Sequence, residues 1–600
     1  MKAAAEATGK VVGAAAGATG KAVGAVEAAA EVMSDKAVAI VTRPKGRKTA
    51  RAQKLLIYAV SLLCLIVLLA VITEALYLDA RPPLPPRNII FMVSDGFGEA
   101  GLTLARYYKN TVVHAQPNIL DPLRDLNLDT FATGNVHTYP AGPGLITDSA
   151  AGATAWACAL KTHNHKVAYD VNNRPCGTLL EAAKAAGMAT GVAVTSSVTD
   201  ATPAAFTTHS LTRCLQDSIA LQYAEHGGVD VVLGGGRSYF DRQGLFDAPS
   251  AAFPKGYGVD TVAALEAADE APLLGLFAPQ HLPWEIDRDP AAVPSLRQMA
   301  KKAVELLVKK GGDRGFFLLV EGSKIDKAAH PNDAGAYVRE ILAYDEAVGE
   351  MLNFARGRKD TLVISTSDHE TGGFSLGRGV IGGTTDPPQK EAPLHTRSLV
   401  AEAEGAMDTE YTLHLDVLQR QTISAEAMAD RALADAGVAS EAQLAASPDL
   451  RATLAAELAH ALARHAGVED LQEHERAFLE TAVDVYAQHD INTTVTGPNG
   501  VVVPITVEDW PLHPQHKRGL QRALGSIVSA RAKVGWSTFG HTATDVKLHA
   551  YGCGAEHFMG SIENVEIGRR LSRLMGFDLE AITARLGTPL YTSAEAPAST

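Results

Sequence analysis

Asn88-Ile89-Ile90-Phe91-Met92-Val93-Ser94-Asp95-Gly96 marks where the chain begins to read as a folded domain. A short apolar run ending in a polar turn suits a strand buried on both faces, as in a parallel sheet. Working outward, the same unit recurs at Thr190–Thr195, Val229–Leu233, Phe316–Val320 and Thr361–Ser365. Helical spacing fills the intervals at Leu179–Ala186, Pro294–Lys310 and Ala334–Ala355. The alternation predicts an α/β domain over residues 88–580, with a mostly parallel central sheet flanked by helices.

Between about residues 396 and 535 the alternation stops. Ala425–His489 is rich in Ala, Leu and Glu with helical periodicity, and Asn499–Val507 reads as a turn and a short strand. A largely helical insertion or cap beside the sheet is expected there. Asn492-Thr493-Thr494 within it is an N-glycosylation sequon.

Upstream, residues 1–54 are low-complexity, with an 11-residue echo of Ala7–Ala14 at Ala18–Ala25, and their glycines favour marginal order. Leu55–Thr73 is uncharged, apolar and long enough to span a bilayer. Arg43, Lys45, Arg47, Lys48, Arg51 and Lys54 precede it, so a signal anchor over residues 55–78 would keep the N-terminus cytoplasmic. A cleaved signal peptide is the rival reading, disfavoured by the long leader. Residues 79–87 read as a stiff Pro-rich spacer, and 581–600 as a tail.

The 600 residues are 46% hydrophobic and 20% charged, ordinary for a globular protein, and the net charge of −14 argues against nucleic-acid binding. Five cysteines are too few for a disulfide scaffold. Cys176 and Cys214 flank one βα-like segment and form the candidate disulfide, whereas Cys158 reads as a buried free thiol.

Polar residues gather where strands end, the place where open α/β sheets hold ligands. Ser94-Asp95-Gly96, Thr199-Asp200-Ala201-Thr202, Glu321 to His330, and Ser367-Asp368-His369-Glu370 each follow a predicted strand. Asp326 and His330, four apart, share a helix face and can grip one ion. Asp368 and His369 can share another if the backbone there is extended. Mixed Asp/His ligation suits zinc, and an all-oxygen set suits magnesium. Finally, Thr147-Asp148-Ser149-Ala150-Ala151-Gly152-Ala153-Thr154-Ala155-Trp156 places Ser149 at a helix N-terminus. Free N–H groups and the dipole favour an anion there, and the hydroxyl is placed to attack phosphorus.

In combination these blocks resemble the alkaline phosphatase family, and the anchored organisation is similar to its fungal vacuolar members. The match runs from Asn88 to about Phe374 and resumes at Trp536-Ser537-Thr538-Phe539-Gly540-His541-Thr542, through Leu571. The resemblance implies a phosphate monoester hydrolase with two zinc ions, one magnesium ion, broad range and alkaline optimum. It makes Ser149 the nucleophile and Arg213 the phosphate clamp. One zinc would take Asp326, His330 and His541, and the other Asp95, Asp368 and His369 with Ser149. Magnesium would take Asp95, Thr202 and Glu321. Asp200 and Lys327 match the second shell of bacterial members. A homodimer is also implied, with the catalytic domain in a vacuolar or lysosome-like lumen or outside the cell. The rivals are a related hydrolase of phosphodiesters or sulfate esters, and a phosphate-binding protein without activity. Arg213 and Ser149 favour monoesters.

Overall fold

The computed structural model describes Tyr58 and residues 85–115, 125–226, 228–246, 252–253, 258–377, 413–488, 494–496, 502–504 and 517–586. The segment 1–54, the span Leu55–Thr73 apart from Tyr58, Asn492 and residues 587–600 lie outside them. Among the described residues no helix is long and apolar enough to cross a membrane.

Ten strands form one sheet: β1 (Asn88–Val93), β2 (Ala132–His137), β3 (Ala189–Ser197), β4 (Val231–Gly235), β5 (Gly258–Val259), β6 (Leu273–Leu276), β7 (Phe316–Glu321), β8 (Thr361–Thr366), β9 (Val546–Gly552) and β10 (Gly560–Glu563). Their spatial order is β10-β2-β9-β8-β1-β7-β3-β4-β6-β5. Every pairing is parallel except those of β9, which runs antiparallel between β2 and β8. The expected mostly parallel sheet is therefore present, with strand ends displaced by up to two residues. Sequence periodicity missed β2, β5, β6, β9 and β10. Ala132–His137 carries no apolar run, and Val546–Gly552 mixes Lys547 and His549 into its alternation.

Residues of β1 alternate between two apolar layers. Ile90 and Met92 join one, while Ile89, Phe91 and Val93 join the other. In the second layer the Phe91 ring lies 5.5 Å from Trp156 and 5.4 Å from Phe206. Trp156 belongs to α1 (Ser149–Ala157), every residue of which is buried. Small side chains let this helix sink between the sheet and the helix Asn564–Met575, where a Cβ on Gly568 would stand 2.2 Å from the Trp156 carbonyl oxygen.

After residue 413 come helices at Leu415–Arg420, Ala425–Asp435, Glu441–Ala446, Pro448–Ala466, Glu473–Gln488 and Lys517–Arg531, with a small antiparallel pair at Thr494–Thr496 and Val502–Pro504. Their buried leucines and alanines extend the first apolar layer. Asp333 fastens them to the core by accepting Ala425 N–H at 2.7 Å and Gln421 Nε2 at 2.8 Å.

One expectation is corrected. The disulfide joins Cys158 to Cys176, with Cα atoms 5.9 Å apart, and Cys214 is a free thiol. Residues 159–175 fold back on the end of α1, and Cys176 N–H donates to the Ala168 carbonyl at 3.0 Å. That return brings Cys176 to the helix terminus and away from the position after Arg213.

Candidate active site

Three adjacent strands, β8, β1 and β7, end level with one another, Val93 pairing with both Glu321 and Thr366, while β3 runs three residues past Val194, the partner of Glu321. Chain reversal at this edge places Asp95 after β1, Glu321 at the tip of β7, and Asp368 and His369 after β8. Asp200 caps α2 (Ala201–Thr207), accepting Ala201 N–H at 2.8 Å, and Thr202 follows in its first turn. Asp326 lies on α3 (Lys324–Ala329), and the next residue is His330, whose N–H donates to the Asp326 carbonyl. His541 arrives from far along the chain because His541–Thr542 pairs antiparallel with Glu370–Thr371.

These residues converge on Ser149. The residue is 3% exposed, and its hydroxyl lies 3.3 Å from His369 Nε2. Asp148 caps α1 by accepting Ala151 N–H at 3.0 Å, which fixes the serine in the first turn. Two sets of donor atoms lie within 4.8 Å of one another, Asp95 with Asp368 and His369, and Asp326 with His369 and His541. His369 thus belongs to both. His330 stands just outside the second set, its Nε2 3.4 Å from Asp326 Oδ2 and its ring 5.1 Å from that of His541.

Hydrogen bonds behind the imidazoles decide what they present. His330 Nδ1 faces the Phe539 carbonyl at 2.6 Å, and His541 Nδ1 faces the Thr147 carbonyl at 2.9 Å. A carbonyl only accepts, so each Nδ1 carries a proton, and Nε2 of a neutral ring offers a lone pair. Burial and the neighbouring His369 push His541 down to about 3, which keeps it neutral. Its Nε2 lone pair nevertheless points at Asp326 Oδ1 from 3.5 Å. Lone pair against carboxylate is repulsive unless a cation lies between, so the donors fit a metal ion.

The carboxylates make the same case. Asp95 is raised well above the usual range by burial and by Asp368, Asp326 and Glu321. Its Oδ1 is buried without a hydrogen-bond partner. Burial likewise drives Glu321 up to about 8, against a bond from Ser323 Oγ at 2.6 Å and with Thr202 beside it. Asp326 is buried too, yet His330 and then His369 hold it well below the usual range.

Arg213 is 6% exposed and anchored from two sides, Nη1 on Asp148 Oδ2 at 3.2 Å and Nη2 on Asp200 Oδ1 at 3.1 Å. Lys327 Nζ meets the other Asp200 oxygen at 3.0 Å. Every expected ligand and clamp residue is therefore at this edge. Sequence reading missed Thr371, which donates to Asp326 Oδ1 at 2.6 Å and lies 3.2 Å from His369 Nδ1. It also missed His281, whose Nδ1 accepts Ser197 N–H at 3.0 Å beside Asp200. Alternation two residues past His369 was the available signal for Thr371. His281, in a loop, carries none.

Carboxylates and imidazoles gathered around a buried serine at the carboxyl edge of a parallel sheet define the class, a metal-assisted ester hydrolase. The chain belongs to the alkaline phosphatase family, whose sequence model matches residues 86–443 and 511–577. It is 33% identical over 596 residues to the repressible alkaline phosphatase of Saccharomyces cerevisiae, covering 92% of each chain. It is 33% identical over 533 residues to the alkaline phosphatase of Schizosaccharomyces pombe, covering 85% of this chain and 86% of that one. The crystal structure of a cold-active alkaline phosphatase from a psychrophilic Shewanella species has a TM-score of 0.59 at 31% identity, over 81% of this chain and 99% of that one. The enzyme is a phosphomonoesterase of this family.

Proposed function

We propose that the enzyme hydrolyses a broad range of phosphate monoesters through a phosphoserine on Ser149, with two zinc ions and one magnesium ion and an alkaline optimum. Asp326, His330 and His541 hold one zinc, Asp95, Asp368 and His369 the other, and Asp95, Thr202 and Glu321 the magnesium. When bound, the ions supply positive charge that acidifies the serine hydroxyl and the attacking water and stabilises the departing oxygen. Arg213, locked by Asp148 and Asp200, clamps two non-bridging phosphate oxygens. Ser149 Oγ attacks phosphorus in line, the alcohol leaves with a proton, and water then cleaves the phosphoserine to release phosphate. Asp200 and Lys327 hold the clamp and tune the magnesium side.

The observation that carries this reading is the Ser149 hydroxyl 3.3 Å from His369, the residue common to both donor sets. Ser149→Ala should abolish acid-stable phosphoenzyme formed with labelled phosphate and nearly all turnover of an aryl phosphate. Labelling that survives the change would refute the serine route, and faster turnover of a matched diester than the monoester would refute the substrate class.

We further propose that Leu55–Thr73 anchors the protein as a single-pass type II membrane protein with a cytoplasmic N-terminus. The catalytic domain then faces a vacuolar or lysosome-like lumen or the outside, carries glycan at Asn492 and forms a homodimer, with the helical insertion as its cap. The Cys158–Cys176 disulfide supports an oxidising compartment, and the basic flank of the apolar run supports the orientation.

A further inference from the structure

The loop closed by the Cys158–Cys176 disulfide holds four non-glycine residues in the left-handed region: Ala159 (φ 58°), His165 (φ 71°), Ala168 (φ 49°) and Asn173 (φ 59°). Each such placement is unfavourable for a residue with a Cβ. Strain of this kind persists where the surroundings over-determine it, commonly beside an active site. At His165 the surroundings are the phosphate clamp. Its N–H donates to Asp148 Oδ2 at 3.0 Å, and its carbonyl accepts Arg213 N–H at 2.8 Å. Glycine would make both backbone bonds without strain, so what histidine adds is the imidazole.

That ring is 56% exposed, with Nδ1 3.5 Å from Asp148 Oδ2, the oxygen that also holds Arg213 Nη1. Imidazole and guanidinium therefore stand side by side on one carboxylate, with the imidazole on the solvent side. Ser149 is buried and the His165 ring exposed, so the ring stands on the solvent side, toward which a leaving group must extend. Neighbouring Asn164 ties the same rim together by accepting Asp148 N–H at 3.1 Å and donating to the Ile146 carbonyl at 3.1 Å.

We propose that His165 is a specificity-determining residue that donates an N–H to a second phosphoryl group on the leaving side of the ester. The substrates it selects are organic diphosphates cleaved at the terminal phosphate. The proposal rests on the phosphatase reading above and adds a leaving-group contact to it.

The test compares kcat/KM for adenosine diphosphate and adenosine monophosphate in the full-length metal-loaded enzyme, in wild type, His165→Gly and His165→Ala. Glycine relieves the backbone and alanine keeps it strained, while both remove the imidazole. The diphosphate-to-monophosphate ratio should fall about tenfold in both variants, the size of one lost charge-assisted hydrogen bond. An unchanged ratio overturns the proposal, as does a loss confined to alanine, which would assign the residue a backbone role. Ser149→Ala, assayed alongside, separates the two readings. If it silences both substrates while the His165 variants keep the ratio, the contact is refuted and the phosphatase mechanism stands.

Discussion

Gly96→Ala tests whether backbone packing, and not only ligand identity, sets the metal geometry. A Cβ at Gly96 would stand 2.5 Å from Asp326 Cα and 2.6 Å from Asp326 Cβ, against 3.4 Å for ordinary contact, and φ there is +75°. The first contact belongs to backbone, which cannot rotate away, so Asp326 must retreat by about 0.9 Å, the difference between 3.4 and 2.5 Å. The left-handed φ costs about 1–2 kcal/mol and the overpacking about 1–3 kcal/mol, together about 2–5 kcal/mol of stability. A displacement near 1 Å at a reacting centre costs on the order of 10²-fold in rate. Urea unfolding, zinc content of the dialysed protein and kcat/KM on para-nitrophenyl phosphate measure the three consequences. Gly152 supplies the graded comparison: its Cβ would lie 3.0 Å from Asp368 Cβ, so a shift of only about 0.4 Å restores 3.4 Å, and Gly152→Ala should lose about tenfold. Gly144, with nothing within 4 Å, is the neutral control. A folded Gly96→Ala protein with wild-type zinc and kcat/KM would refute the reasoning.

Cys158→Ser should destabilise the domain by about 3 kcal/mol, the chain-entropy value for a closed loop of this length, and the residues are separated by 18 positions; identical urea midpoints for variant and oxidised wild type would count against the cross-link. His549 is buried against Phe131, with Nδ1 3.3 Å from the Ser365 carbonyl, and burial pushes it down to about 4. A folded-state pKa below the ordinary value of about 6.5 means the unfolded chain binds the extra proton first. Its contribution is therefore complete above pH 6.5 and is lost as pH falls to 4, a change of about 3 kcal/mol. The stability of His549→Gln should fall less steeply over that window by this amount, and parallel curves for variant and wild type would exclude it.

What the sequence made legible was whatever has a local signature. β1, β7 and β8 are uninterrupted apolar runs, so their polar successors Asp95, Glu321, Asp368 and His369 could be assigned to one edge before any contact was known. Asp326 and His330 are four apart and announced a shared helical face. The disulfide had no such signature. Its partner was decided by how residues 159–175 fold back, with Ala159, His165, Ala168 and Asn173 in conformations their residue types do not advertise. The carbonyls of Thr147 and Phe539 orient two imidazoles through backbone atoms that every residue possesses, so no residue type marks them. β9 escaped because an antiparallel strand within a parallel sheet owes its place to neighbours on both sides.

The charge balance of the site explains why these pieces need one another. Asp95, Asp200, Glu321, Asp326 and Asp368 are buried within one cluster, and side-chain cations reach only part of it. Arg213 and Lys327 both engage Asp200, whose pKa they hold far below the usual range against the cost of burial. His330 beside Asp326 and His369 beside Asp368 lead the groups that hold these two carboxylates down. Asp95 and Glu321 are left raised, chiefly by burial and then by neighbouring carboxylates, which Lys327 offsets only in part at Asp95. They are also the two carboxylates assigned to the all-oxygen site, where magnesium would supply the missing charge. The clamp cannot lend its own: Arg213 is committed to Asp148 and Asp200, and moving it toward Asp95 would strand two buried carboxylates. The arginine and the candidate metal donors are thus partitioned between Asp200, which holds Arg213, and Asp95, which belongs to a donor set. Ser149 lies where the two halves meet, 3.3 Å from His369, which belongs to both donor sets, and next in sequence to Asp148, which holds Arg213.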